Sequence, residues 1–552
     1  MTQLSEFQTP KARRRWPVDL WSIGAVAIAA LVLMPIIAVL WMALNPAQNI
    51  WPHLIATTLP RYLSNTAILM FSVGALSAVV GTGAAWLISM YRFPMSRTLN
   101  WALLLPLAIP GYVGAYALVD FLEYAGPVQT ALREVFGWST SRDYYFPQIR
   151  SRWAAVVVLS ASLFPYVYLL SRAAFREQRG GVYEVARALG AGPWGRFFRV
   201  GLPLARPAIA VGVAVVMMET VNDFGTVDFF AVQTLTTGIF TVWLEQSNAG
   251  GAAQIASVIL IVILGLALIE RLGRRRLRFY QHARNSRPVE PVTLAGFSAW
   301  GAALFCLVPF LVGFILPVTV MGAHALTRAD RWLEPGLAGA LFNTVSVGLM
   351  AAVVTVGAAV FLVYGVRLTG RLVPRLLLPL TTVGYAAPGA VLAVGILIPL
   401  AAFDNAFADW VLRLTGVEIG LLLTGSVGAL IYAYAVRFFA IGQGAVDAAM
   451  GRVSPSLPMA ARSLGKGPMG VLRQVYAPMM KSSVATGLLL VFVDCVKELP
   501  ATLILRPFNF NSLATRTYEQ ASLERIADAA PSALLIIAVG LAAVLLLVKS
   551  SR

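Results

Sequence analysis

The stretch ARALGAGPWGRFFRVGLP at residues 186–203 recurs as ARSLGKGPMGVLRQVYAP at residues 461–478. Nine of the eighteen positions are identical, and the offset between the copies is constant, 461 − 186 = 275. The dipeptides Asn-Thr at 65–66 and Pro-Gly at 110–111 recur at 343–344 and 388–389, where 343 − 65 and 388 − 110 both equal 278. A repeat of this length indicates that the chain is a fusion of two homologous halves.

The composition places both halves in a membrane. Hydrophobic residues make up 58% of the chain, charged residues make up 12%, and the mean hydropathy is +0.75, which excludes a water-soluble globule. The apolar stretches are about 20 residues long, enough for a helix to cross the hydrocarbon core. We therefore predict an all-α transmembrane bundle of about twelve spans, six in each half, near 20–42, 67–90, 101–119, 154–170, 209–230, 252–269, 294–323, 345–364, 377–402, 420–439, 483–492 extended outward, and 532–548.

The net charge of +18 follows the positive-inside rule rather than a nucleic-acid surface. Basic residues fall in alternate segments, which predicts that both chain termini are cytoplasmic. The loop at 120–152 departs from this rule because it carries several arginines on the predicted outer side. The basic segments are 11–15, 92–97, 172–206, 271–284, 367–375 and 437–481.

Sequence motifs for catalysis or bound cofactors are missing from the chain. It has no G-x-x-x-x-G-K-[ST], H-E-x-x-H or G-x-S-x-G sequence, so we expect it not to be an enzyme. Cys306 and Cys495 fall in or beside predicted spans, far apart in sequence, and indicate neither a disulfide nor a zinc site. We expect no cofactor and assign no metal ligand.

Each repeated segment is too polar to span and has the pattern of a helix, a turn and a second helix. The turns are Gly-Ala-Gly-Pro at 190–193 and Gly-Lys-Gly-Pro at 465–468, where glycine permits the turn and proline suits a helix start. Nearby apolar side chains are available for docking to a partner, namely Trp194, Phe197, Phe198, Met469 and Leu472. The alternative is that each loop only packs beneath its own bundle.

The first copy resembles the EAA motif of binding-protein-dependent ATP-binding-cassette (ABC) importer permeases. E-V-A-R-A-L-G at 184–190 is followed by Val200 and by Leu-Pro at 202–203, with the spacing of that motif. In the family this loop is the coupling helix that inserts into a cytosolic ATPase subunit. The second copy departs from the pattern, since Met459 replaces the acidic residue, Ala477 replaces leucine and Ser482 replaces the last proline. The resemblance implies coupling roles for Glu184, Ala186, Gly190, Gly192 and Pro203, and for Met459, Ala461, Gly465, Gly467 and Pro478.

The resemblance also implies the domain plan and the partners. The first permease half would cover 1–288 with its coupling loop near 180–207, and the second 289–552 with its loop near 455–482. The fold would be that of a type I ABC importer permease in the bacterial inner membrane. The chain would work with two cytosolic ATPase subunits, which bind the ATP and Mg, and with a periplasmic substrate-binding protein.

The segment VKELPATLILRPFNFNSLATRTYEQAS, starting at Val496, resembles permeases of ferric-iron importers, and the fused two-half layout is theirs as well. This resemblance implies Fe(III) as the substrate. Permeases for thiamine share the fused layout, and those for other small solutes also remain alternatives. A further alternative from a different class is an ATP-independent secondary transporter, which can also consist of duplicated halves.

Four carboxylates are candidates for the translocation pathway: Glu219 and Asp223 in the first half, Asp494 and Glu498 in the second. The pairs correspond at one offset, 494 − 219 = 275 and 498 − 223 = 275. The i,i+4 spacing predicts that each pair lies on one helix face near mid-membrane, where carboxylates avoid lipid and suit a hard cation such as Fe(III). The alternative is a structural role, in hydrogen bonds to loops or in a pair with Lys497, or a position in water beyond a helix end broken by Pro500.

Overall fold

The computed structural model describes residues 20–46, 48–178, 180–275, 290–370, 372–382, 384 and 387–550, without the side chains of 269–275, 369 and 547–550. The helices of the first half are Leu20–Leu44, Trp51–Ala56, Leu59–Met90, Ser96–Ala102, Gly111–Leu122, Pro127–Phe136, Arg152–Glu177, Gly180–Ala188, Pro193–Arg196, Leu202–Asn222, Gly225–Phe229, Leu235–Phe240 and Ala249–Arg275. Those of the second half are Gly296–Phe310, Leu316–Thr327, Leu337–Thr369, Leu372–Leu377, Gly389–Thr415, Val427–Arg437, Phe439–Gly451, Ser456–Ser463, Pro468–Val471, Ala477–Lys497, Pro500–Leu505, Leu513–Ser522 and Ile526–Ser550.

Ten helical segments of the described chain are long and apolar enough to cross a membrane, and two bent pairs raise the number to twelve. The predicted all-α bundle is confirmed. π-helical turns at Phe197–Gly201 and Leu472–Tyr476 join short helices to long ones, so that Pro193–Asn222 and Pro468–Lys497 each form one span. We call these two the fifth spans, and Leu59–Met90 and Leu337–Leu368 the second spans.

Four of the predicted spans differ from the structure: the span 209–230 ends at Asn222, and the other three have wrong boundaries because of proline or glycine. The predicted span 101–119 is bent by 97° between two helical segments, at a break that contains Pro110. The predicted span 420–439 begins only at Val427, because Gly420 and Gly425 adopt left-handed conformations, and it continues past a 52° bend to Gly451. The predicted span 377–402 is a helix at Gly389–Thr415 preceded by Pro388.

The only strands of the described chain are two residues long. Tyr91–Arg92 after the second span of the first half pairs in parallel with Val292–Thr293, just before the first helix of the second half. The ladder fastens the chain that enters the second half onto the first half. The predicted boundary at 288–289 lies outside the described residues.

The repeated Asn-Thr dipeptides tie each second span to the start of the second helix after the fifth span, Leu235–Phe240 or Leu513–Ser522. Asn65 and Asn343 donate from Nδ2 to the carbonyl oxygens of residues 233 and 511, at 2.8 and 3.0 Å. The hydroxyls of Thr66 and Thr344 accept from the backbone N–H groups of residues 235 and 513, at 3.1 and 2.8 Å. Because 511 − 233 and 513 − 235 both equal 278, the sequence repeat is also a repeat of hydrogen bonds.

Each half reaches across to pack on the other. The helix Leu20–Leu44 lies against Leu337–Thr369 and Gly389–Thr415, with Trp21 stacked on Phe361 at 4.7 Å between ring centroids. Reciprocally, Leu316–Thr327 packs on Gly111–Leu122 of the first half. This exchange joins the halves through buried apolar contacts and places the ends of the two fifth spans side by side.

Candidate functional site

A cavity of about 150 Å³ lies where the ends of the two fifth spans meet. All four candidate carboxylates line it, two from each half: Glu219, Asp223, Asp494 and Glu498. The halves touch here, since the Gly225 backbone lies against the Leu499 side chain. Corresponding residues of the two halves, far apart in the sequence, are thus brought together in one polar space.

The prediction that each carboxylate pair lies on one continuous helix face was wrong. The helices end at Asn222 and Lys497, so Asp223 and Glu498 stand just beyond them. Proline at position 500 cannot continue the second helix in register, and a new short helix starts there. Only Glu219 and Asp494 lie on the long helices.

Asp223 and Glu498 instead cap the short helices that follow. Asp223 Oδ1 accepts from the N–H groups of Thr226 and Val227 at 3.0 and 3.1 Å. Glu498 accepts from the N–H groups of Ala501 and Thr502 at 3.0 and 3.1 Å. Each carboxylate satisfies N–H groups that have no partner within the helix, as capping side chains do.

Two cations from the second half also line the cavity. Arg437 Nη1 donates to Glu498 Oε1 at 2.7 Å, and this Glu498 side chain is 1% exposed. Lys497 Nζ lies 3.2 Å from Asp494 Oδ1 and donates to the Leu107 carbonyl oxygen of the first half at 3.2 Å. The alternative of a pair with Lys497 therefore holds for Asp494.

Arg437 was wrongly assigned to a cytoplasmic basic segment. Its side chain is 12% exposed and faces the cavity. The corresponding first-half residue is Ser162, since 437 − 162 = 275, and the counterpart of Lys497 is Asn222, since 497 − 222 = 275. Both counterparts line the cavity but are neutral, so the halves contribute carboxylates equally and cations unequally.

The repeated Pro-Gly dipeptides bring backbone close to the capping carboxylates. A Cβ added at Gly111 would lie 2.8 Å from Thr226 Oγ1 and 3.5 Å from Asp223 Oδ2. A Cβ at Gly389 would overlap the Arg437 guanidinium and the Glu498 carboxylate. A side chain at either position would displace the polar groups that surround the capping carboxylate. Sequence reasoning used these dipeptides only to align the halves, and did not connect them with the carboxylates.

Both repeat loops, 180–207 and 455–482, have the predicted helix-turn-helix form. In each, a left-handed glycine follows two residues after the end of a short helix, Gly190 with φ +82° or Gly465 with φ +79°. The next helix then begins at Pro193 or Pro468. Exposed positions among the predicted coupling residues are Glu184, Gly190, Gly192, Met459, Gly465, Gly467 and Pro478, whereas Ala186, Pro203 and Ala461 are half-buried.

Large apolar side chains project from these loops. Trp194 is 74% exposed and stacks on Phe198, with 5.9 Å between ring centroids. In the second loop Leu464 and Met469 are 80% and 47% exposed. Phe197 had been predicted to be available for docking, but it packs against Trp86 at 5.2 Å. Leu472 is likewise partly buried against the core.

Both cysteines are buried and free. Among the residues with described side chains, no group of three or more His, Cys, Asp or Glu is arranged to hold a metal ion. The cavity therefore has a carboxylate lining to which both halves contribute, and two of its carboxylates are paired with Arg437 and Lys497.

The family of the chain follows from comparison with known proteins. Residues 77–278 match the model of the "Binding-protein-dependent transport system inner membrane component" family. The chain is an ABC importer permease. The permease is 26% identical over 491 residues to the Fe(3+)-transport system permease protein FbpB 2 of Haemophilus influenzae, covering 86% of this chain and 87% of that protein.

Two further relatives differ in how much of the chain they cover. FbpB 1 of the same organism is 22% identical over 485 residues, which cover 83% of the permease and 72% of FbpB 1. The sulfate transport system permease protein CysT of Escherichia coli is 28% identical over 280 residues, which cover 48% of the permease but 97% of CysT. A relative of half the length thus aligns with half of this chain.

Membership of this family places the permease in the inner membrane as a multi-pass protein. The family name also implies a substrate-binding protein, and the ABC class implies an ATPase that powers transport. An ATP-independent secondary transporter is therefore excluded as its class.

Proposed function

We propose that the permease imports ferric iron, delivered by a periplasmic binding protein. The observation that carries this proposal is the convergence of four carboxylates, two from each half, on one cavity between the fifth spans. Carboxylate oxygens are hard donors that suit hard cations such as Fe(III). Two relatives that are named as ferric transport permeases, FbpB 2 and FbpB 1, align with 86% and 83% of the chain.

The charge balance of the cavity supports a cationic substrate. Four acidic and two basic side chains line it, and each cation is already close to a carboxylate, Arg437 to Glu498 and Lys497 to Asp494. An incoming oxyanion would compete with those carboxylates for both cations. Thiamine, which is also cationic, is the alternative substrate.

The proposed assembly has two ATPase subunits, one at each repeat loop. Six proposed spans separate the loops when the bent pair Val427–Arg437 and Phe439–Gly451 counts as one, which supports a position for both loops on one face. Exposed apolar side chains such as Trp194 and Leu464 support their role as docking surfaces. With twelve spans and these loops in the cytoplasm, both chain termini are cytoplasmic as well. ATP and Mg belong to the ATPase subunits, and the permease itself performs no catalysis and binds no cofactor.

The decisive experiment measures uptake of labelled Fe(III) and of labelled thiamine, separately, by cells lacking this gene and by the same cells complemented. Selective loss and rescue of iron uptake is the expected result. Selective loss and rescue of thiamine uptake would replace the substrate while keeping the importer. If the cells that lack the gene take up both Fe(III) and thiamine normally, both proposed substrates are contradicted.

The cavity is tested within the complemented strain. Glu219 and Asp494 are the informative pair because they lie on the long helices and do not cap the short ones. The E219Q/D494N variant is expected to lose iron uptake at unchanged protein level, whereas the charge-matched control E245Q/D409N, at exposed carboxylates, retains it. Equal uptake by the two variants would remove these carboxylates from the pathway.

A further inference from the structure

A second polar pocket, of about 370 Å³, lies where Leu59–Met90 and Arg152–Glu177 of the first half end on the side of the repeat loops. None of the described residues that line it is acidic. Its polar lining consists of Ser89, Arg92, Ser96, Arg97, Asn100 and Arg176. Three guanidinium groups therefore surround one space that holds no carboxylate of the described chain.

The hydrogen-bonding groups of this pocket, which we call the arginine pocket, are largely available to a ligand. Arg176 Nη2 donates to Asn100 Oδ1 at 3.3 Å. Arg92 and Arg97 are exposed and form no ion pair with a described carboxylate. The Ser89 hydroxyl is buried and has no hydrogen-bond partner among the described residues. Guanidinium forks with a nearby hydroxyl suit the oxygens of a phosphate group.

Exposed aromatic residues mark the depth of the arginine pocket in the membrane. Arg92 pairs with Thr293 in the strand ladder, and the first helix of the second half begins shortly afterwards, at Gly296. On that helix Phe297 and Trp300 are 98% and 65% exposed. Tryptophan is enriched at the level of lipid headgroups, so Trp300 marks that level.

The arginine pocket is not a general consequence of positive charge on this face, because the second half does not repeat it. The counterparts of Arg92 and Arg176 are Gly370 and Gly451, from 370 − 92 = 278 and 451 − 176 = 275. Arg97 alone has a basic counterpart, Arg375, from 375 − 97 = 278. Two of the three pocket arginines, Arg92 and Arg176, therefore have no basic residue at the corresponding position of the second half.

We infer that the arginine pocket binds the phosphate of an anionic phospholipid in the leaflet on the side of the repeat loops. Basic pockets between membrane helices on the cytoplasmic side bind anionic headgroups. This inference depends on the proposed function in one respect: the proposed function is what makes that leaflet the cytoplasmic one. A lipid held there bridges the ends of Leu59–Met90 and Arg152–Glu177 and the segment that enters the second half.

The test is native mass spectrometry of the purified full chain in detergent, titrated with phosphatidylglycerol and, separately, with phosphatidylcholine. The wild type is expected to prefer phosphatidylglycerol. In R92Q/R97Q the apparent affinity for that lipid is expected to fall about fivefold for each arginine removed. The charge-matched control R375Q/R413Q, at exposed arginines outside the pocket, retains the wild-type affinity.

Three outcomes overturn the inference. If R92Q/R97Q binds phosphatidylglycerol with wild-type affinity, the arginine pocket is not the lipid site. If the control R375Q/R413Q loses as much affinity, the binding depends on general surface charge. Inorganic phosphate is titrated in a separate arm: phosphate binding that R92Q/R97Q abolishes, without a preference for phosphatidylglycerol, identifies a soluble anion instead. R97Q alone is the second variant if the double variant is not monodisperse. No ATPase or transport substrate is present, so the result is independent of the iron proposal.

Discussion

Asp223 and Glu498, which occupy corresponding positions in the two halves, make the same two backbone hydrogen bonds, to the N–H groups three and four positions ahead. Their charge environments differ. Glu498 also accepts from Arg437 Nη1 at 2.7 Å, whereas Ser162 occupies the corresponding position near Asp223. The capping geometry is therefore symmetric while the ion pair belongs to one half, and single substitutions can separate the two roles.

The first prediction concerns the ion pair of Glu498. E498Q keeps an oxygen that can accept from the short helix but removes the negative charge, which leaves the Arg437 guanidinium nearly buried and unpaired. Breaking a buried pair from one side costs about 3–5 kcal/mol. We expect the thermal unfolding midpoint in detergent to fall clearly in E498Q. The midpoint should fall less in D223N, because Asp223 has no arginine partner that the substitution would leave unpaired.

The control for this prediction is R437M/E498Q, which removes both charges. If the loss in E498Q arises from the unpaired arginine, the double variant recovers part of the stability. A double variant as unstable as the sum of its single variants would show that the residues do not couple.

The second prediction concerns Lys497, whose ammonium lies 3.2 Å from Asp494. A cation held that close competes electrostatically with any cationic ligand of the same carboxylate. We expect K497Q to bind the hard trivalent probe Tb(III) about tenfold more tightly than the wild type. Sensitised luminescence is the measurement, since Tyr112 and Tyr166 line the same cavity.

The matched control removes the carboxylate as well. In K497Q/D494N the gain should disappear, because the ammonium and its anionic partner are both absent. A gain that persists in the double variant would place the probe elsewhere, and no gain in K497Q would mean that Lys497 does not compete at this site.

The third prediction concerns the turn glycines of the repeat loops. Gly190 and Gly465 have φ of +82° and +79°, and their N–H groups donate to the carbonyl oxygens of Arg187 and Arg462 at 3.0 Å. Proline fixes φ near about −65° and lacks the N–H, so G190P and G465P cannot form the turn. We expect both to insert into the membrane and to lose substrate uptake.

Asparagine provides the conservative control at these positions. It tolerates the left-handed conformation better than most residues, and no atom lies within 4 Å of an added Cβ at either glycine. G190N and G465N should retain most of the uptake, and alanine should be intermediate at about 1–2 kcal/mol of backbone strain. Normal uptake by both proline variants would contradict a coupling role for the turns.

The internal repeat made much of this structure predictable. Its two constant offsets identified the halves, the two loops and the paired carboxylates, because homologous segments repeat both sequence and hydrogen bonds. Span boundaries failed where Pro110, Pro388 and the glycines near 420–425 break helices, since hydropathy does not register a break inside an apolar stretch.

Arg437 could not be recognised from local sequence. It follows an apolar stretch and precedes a basic segment, which is the pattern of a cytoplasmic charge. Its partner Glu498 is 61 residues away and lies just beyond the end of the fifth span of the second half, at Lys497. Gly389 carried a usable signal, because a glycine repeated in both halves beside a proline indicates a position where backbone approaches another group closely.

The last prediction concerns how the two repeat loops share a partner. Trp194 is 74% exposed, and its counterpart Met469, from 469 − 194 = 275, is 47% exposed. A buried tryptophan at the centre of an interface commonly contributes about 2 kcal/mol or more, a factor of about thirty in affinity. We therefore expect W194S to reduce co-purification of the ATPase much more than M469S. F197S, at a ring that already packs inside the permease, should lower its thermal stability rather than weaken the complex directly. Equal retention of the ATPase by W194S and the wild type would contradict docking through this exposed face.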